Sequence, residues 1–124
     1  MNTTGNRNGD LSEAVSLAQH AVLMLLRLLL PPHVDNEKAA DFLRQEIGQD
    51  NSFIEWVAVR PDGLVDESKV SEYELHPSPT RSAIFNAGKT SRINVAHVMA
   101  QLILDDPLWA QWKGEMPVIY NRPE

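Results

Sequence analysis

The chain has 124 residues, 43% apolar and 23% charged, enough for one domain and too few for two well-cored ones; this is not the composition of a disordered tail or a fibre. Its 11 basic and 17 acidic residues leave a net charge of −6, which argues against a nucleic-acid clamp, because a duplex-binding face must neutralise phosphates. With no cysteine, disulfides, thiolate metal sites and cysteine nucleophiles are excluded together, and a soluble cytoplasmic domain is the expectation.

The first ten residues, MNTTGNRNGD, are loop chemistry. A helix is predicted over residues 11–30, with Asp10 or Ser12 as its cap and Glu13 near its positive end. Its second half, AVLMLLRLLL at 21–30, is densely apolar. A membrane-spanning helix needs about 20 such residues. This run is shorter, contains Arg27, and lacks the basic start and small-residue cleavage site of a secretory signal. It reads as a buried or partner-facing helix. Pro31-Pro32 stops it, and a second helix is expected from about Val34, where Asp35, Asn36 and Glu37 gather. Ala39, Phe42, Leu43 and Ile47 supply its apolar spacing, and Gly48 is a natural C-cap.

Residues 53–59, FIEWVAV, are predicted to be a strand; the continuous apolar end suits a parallel strand buried on both faces. Arg60-Pro61-Asp62-Gly63 should end it. Residues 65–89 read as a long polar loop with a short strand near 72–76, and 90–93 as another short strand. Val95, Val98, Met99, Leu102 and Ile103 then repeat at helical spacing until Asp105-Asp106-Pro107 breaks the helix. One more turn is expected over 108–113 and a last strand over 116–120. Trp56, Trp109 and Trp112 read as core or domain-closing residues. No His, Asp and Glu spacing suggests a metal site. The order of elements is α/β, with two main parallel strands joined by a right-handed crossover through the helix near 94–105. Two buried strands need further strands beside them, so the segment reads as part of a larger sheet.

The strings DNEKAADFLRQ, IEWVAVRPDGLVDE, TSRINVAHVMAQLILDD and PVIYN, in that order, carry a resemblance. They are similar to the C-terminal half of an atypical short-chain dehydrogenase/reductase, of the NAD(P)-binding group that also holds NmrA-like regulators and biliverdin-reductase-B-like enzymes. The most specific element is a strand ending in Arg-Pro-x-Gly-Leu, followed downstream by a Ser-Arg-x-x-Val-Ala helix start. The resemblance runs from residue 1 to about 121. It implies one partial Rossmann-like domain over residues 1–124, the C-terminal, substrate-side half of a doubly wound parallel sheet. The family's first four or five strands would then precede Met1, and MNTTGNRN resembles the end of the fifth and its loop. No G-x-G-x-x-G occurs in the chain, so the principal dinucleotide-binding half is missing.

Carried over residue by residue, the family's catalytic Ser/Thr falls at Thr3 or Thr4 and its Lys at Lys38, which would also hold the cofactor ribose. The family's Tyr position holds Val34, so no phenol is present there as general acid/base; the neighbouring His33 is the candidate substitute. Arg60, Pro61, Gly63 and Leu64 match the turn that faces the nicotinamide. Tyr73, His76, Arg81 and Phe85, with Glu72, fall on the substrate side of the cleft. Asn94 stands where the family commonly has an acidic residue, and a capping role is expected of it. The implied activity is hydride transfer between NAD(P) and a small carbonyl or alcohol, or NAD(P)H binding without turnover.

Each residue also has a plainer reading. Lys38 fits an exposed first helical turn, Pro61 and Gly63 serve any turn, and 65–89 fits a solvated loop. The alternative function is a non-enzymatic interaction module that self-associates or pairs with a partner through its apolar helix and an uncovered sheet edge. Transcriptional regulation through direct DNA contact is suggested only by the kinship with NmrA-like regulators, and the acidic charge opposes it.

Overall fold

The computed structural model describes residues 17–29 and 31–123, with only the backbone course for 26–29 and 31–33. Thr3, Thr4, the loop at 1–10 and the caps proposed at Asp10 and Ser12 lie outside the described residues.

Helix α1 spans Leu17–Leu29, inside the predicted range, and buries Leu23. The second helix begins at Pro31 rather than Val34: α2 is Pro31–Asp41. Proline lacks only an N–H that the first helical turn leaves unpaired, so Pro31-Pro32 opens a helix as readily as it closes one. α2 runs on into a π-helical stretch, Phe42–Ile47. Gly48 ends it as expected, at φ 74° with its N–H donating to the Leu43 carbonyl.

The strand expected at 53–59 is shorter and lies later. The side-chain oxygen of Asn51 accepts the N–H groups of Phe53 (2.9 Å) and Ile54 (3.0 Å), and this turn leaves Phe53 94% exposed. From Trp56 the backbone runs extended beside 114–117. Gly114 N–H donates to the Trp56 carbonyl, Ala58 N–H to that of Glu115 and Arg60 N–H to that of Pro117. Regular pairing is confined to β1, Arg60–Pro61, which lies parallel to β5, Val118–Asn121, as predicted. The segment is covered on both faces, Trp56 and Ala58 toward one helix layer and Val57 and Val59 toward the other.

Arg60-Pro61-Asp62-Gly63 does not end the extended chain, as expected of it, but hands it to a second sheet. β2, Gly63–Val65, follows after the single residue Asp62 and pairs in parallel with β4, Lys89–Ser91. β3, Tyr73–His76, falls where a short strand was expected near 72–76 and pairs antiparallel with β5. The two sheets therefore have the orders β1-β5-β3 and β2-β4, a mixed α/β arrangement.

Helix α3, Arg92–Leu104, starts at Ser91, whose Oγ accepts the Asn94 N–H. Asp105 closes α3 and caps α4, Asp106–Trp112, by accepting the Leu108 N–H at 3.0 Å. α4 begins two residues before the predicted turn because Pro107 fits a first helical turn. On one face Val59 and Ile119 pack with Val95, Val98 and Leu102 of α3 and Trp112 of α4. On the other, Trp56, Ala58 and Met116 pack with Ala40 of α2. Val98 and Ile119 are wholly buried, each worth about 1.5–3 kcal/mol of transfer free energy. Trp56 and Trp112 are core residues, as expected. Among the described residues no helix is long and apolar enough to cross a membrane.

Candidate functional site at the strand switch

The end of β1 brings together the buried polar side chains of Arg60, Asp62 and Thr90 beside the exposed Gly63. Arg60 is 0% exposed; its Nε donates to the Met116 carbonyl at 2.7 Å and its Nη2 to the Pro77 carbonyl at 3.1 Å. A buried cation is tolerated when oxygens surround it, and these bonds pin β1 to the approach to β5 and to the chain after β3. Two residues on, the Asp62 N–H donates to Thr90 Oγ1 (3.2 Å) and its Oδ2 accepts the Gly88 N–H (2.8 Å). Thr90 Oγ1 donates in turn to the Ile119 carbonyl at 2.6 Å.

Close approach in this region depends on two glycines. Gly63 N–H donates to the Gly88 carbonyl, and a Cβ on Gly63 would stand 2.9 Å from that oxygen. A Cβ on Gly88 would run into the ring of Tyr120, whose hydroxyl accepts the Thr80 N–H. The outcome is a rigid polar base carrying an exposed Gly63 and a Leu64 that is 38% exposed. It lies at the carboxyl end of a parallel pair, where open α/β sheets bind ligands.

Of the residues singled out from the sequence, Arg60, Pro61, Gly63 and Leu64 fall together here, the first two buried and the last two exposed. Lys38 is exposed on α2, two residues from Ala40, which packs on the Trp56 and Ala58 face. Tyr73 and His76 are separated by strand alternation. Tyr73 faces α3, with its hydroxyl 2.8 Å from His97 Nδ1 and the rings edge to face. Burial raises the Tyr73 phenol above its usual range. His76 lies on the opposite face, its ring 5.8 Å from that of Tyr120 and its Nε2 3.1 Å from Glu74 Oε2. Hydrogen bonds from His76 and then Arg122 hold the Glu74 carboxyl below its usual range. Glu72 pairs with Arg122 at 3.3 Å. Arg81 and Phe85 are exposed on the 77–88 segment, which Ser82 ties to α1 by donating to Gln19 Oε1.

Asn94 does not cap its helix; Ser91 does. Wholly buried, Asn94 donates through Nδ2 to Ser71 Oγ (2.9 Å) and Asn121 Oδ1 (2.8 Å), and its Oδ1 accepts the Ser71 N–H (3.0 Å). Asn121 Oδ1 also accepts the Ser91 N–H, and its Nδ2 donates to Glu67, which accepts the Ser71 hydroxyl as well. This network holds the chain after β2 against the start of α3.

Sequence reasoning missed Asp62, Gly88, Thr90 and Tyr120 as parts of the site. Asp62 and the two glycines, at turn positions, were the available signal. A separate groove of about 180 Å³ lies between Val57, Val59 and the α3–α4 side chains Met99, Leu102, Ile103 and Trp109. It is too small for a dinucleotide, since ligand pockets run to about 300–1,000 Å³. Among the described residues no three His, Asp or Glu side chains are grouped to hold a metal ion. Comparison with known protein families, with curated proteins and with solved structures found no match.

Proposed function

We propose that the chain is the C-terminal, substrate-side part of an NAD(P)-dependent oxidoreductase or NAD(P)H-binding protein of the atypical short-chain dehydrogenase type, with a partial Rossmann-like fold. The observation that carries this reading is the exposed residues Gly63 and Leu64 at the carboxyl end of a parallel pair, next to buried Arg60, Asp62 and Thr90. Gly63 and Gly88 serve the chain's own packing here, against the Gly88 carbonyl and the Tyr120 ring, and so fix the course of the segment that would meet the nicotinamide ring. A bound NAD(P)H would donate a hydride to a carbonyl, or NAD(P)+ accept one from an alcohol; the Gly63–Leu64 segment would face the nicotinamide, and Lys38 would bind the ribose. His76, Arg81 and Phe85 would line the substrate side, whereas the Tyr73 hydroxyl is already engaged by His97. Val34 in the family's Tyr position favours cofactor binding without turnover over the standard proton relay.

The test is titration of the isotopically labelled 124-residue protein with NADH and NADPH, observed at backbone amides by NMR. Saturable shifts centred on Gly63 and Leu64, lost in Gly63→Val, are the expected result. Millimolar nucleotide that leaves those amides unmoved overturns the assignment of Gly63 and Leu64 as a cofactor contact made by this chain.

The interaction-module reading is favoured by a different observation. Ile103 and Leu104 of α3 are 79% and 77% exposed, and Ile103 borders the groove beside Val57 and Val59. It requires a concentration-dependent rise in sedimentation mass that Ile103→Asp abolishes.

A further inference from the structure

We draw no further inference here: the strongest candidate, the apolar groove between Val57 and Val59 and the Met99 and Ile103 side chains of α3, is an uncovered apolar face, and nothing in the structure shows what covers it.

Discussion

Gly88 lies directly against the ring of Tyr120, with Cε1 only 2.8 Å from where a Cβ would stand. Both residues are buried; Gly88 N–H donates to the Asp62 carboxylate, and the Tyr120 hydroxyl accepts the Thr80 N–H. Replacing Gly88 with alanine forces the tyrosine ring or the β2–β4 pair to shift. Overpacking of this kind costs about 1–3 kcal/mol. Chemical denaturation of Gly88→Ala should show that loss, and Tyr120→Leu in the same background should recover part of it.

Asn94 fills a place where only an amide satisfies every neighbour. Asn94→Ala leaves the Ser71 N–H without its acceptor and removes a donor to Asn121. A buried polar group left unpaired costs about 1–3 kcal/mol. Beyond the loss of global stability, amide hydrogen exchange should quicken around Ser71 and at the first turn of α3. Uniform quickening across the whole chain would contradict a local tie.

Locally written features were legible in the sequence, and features that depend on distant partners were not. The end of the π-helical stretch at Gly48 and the break at Asp105 follow from residues within a turn of each site. The parallel direction and double burial at Trp56–Val59 were also readable, because a strand covered on both faces has no polar alternation. Its displaced ladder was not, since pairing is decided by 114–119 at the other end of the chain. Nor was the hand-over at Asp62, which depends on Gly88 and Thr90, 26 and 28 residues away. Pro31 misled because a proline carries the same local meaning after a helix and at the start of one. The Gly63–Leu64 segment was found from its motif, although it is a strand and not the turn the motif suggested, and the side chains that hold it were not found.

Tyr73 and His97 join β3 to α3. Burial raises the phenol's pKa in the folded state, so the native form favours the neutral hydroxyl. That contribution is complete below the unfolded tyrosine's pKa and is lost as pH rises through the folded value. A tyrosinate absorbance titration should therefore contain a step above the usual tyrosine range that vanishes in Tyr73→Phe. The same substitution should cost about 1 kcal/mol near neutrality through the lost hydrogen bond.

Glu74 shifts in the opposite sense. His76 and Arg122 depress its folded-state pKa, so its contribution is present above the unfolded value and is lost as pH falls through the folded one. The carboxylate is open to solvent, and salt should weaken the effect. Comparing acid unfolding of the wild type and Glu74→Gln at low and high ionic strength should show curves that differ only at low salt.

Asp105 serves two helices with one residue, its N–H closing α3 on the Gln101 carbonyl and its carboxylate capping α4. Asp105→Ala keeps the first bond and removes the second. The expected cost is about 1 kcal/mol, and Asp105→Asn or Asp105→Ser should restore most of it. Thermal melts followed by Trp109 and Trp112 fluorescence report on this helix directly.

The two sheets meet through side chains: the Thr90 hydroxyl bridges Asp62 N–H to the Ile119 carbonyl, and the Asn121 amide oxygen accepts the Ser91 N–H. A backbone ladder is indifferent to sequence, because every peptide offers the same donor and acceptor. A seam stitched by a hydroxyl and a carboxamide has no such tolerance. Sequence drift in this chain should thus be easiest along the strands themselves and hardest at 90 and 121, where the identity of one atom decides whether two sheets stay one body.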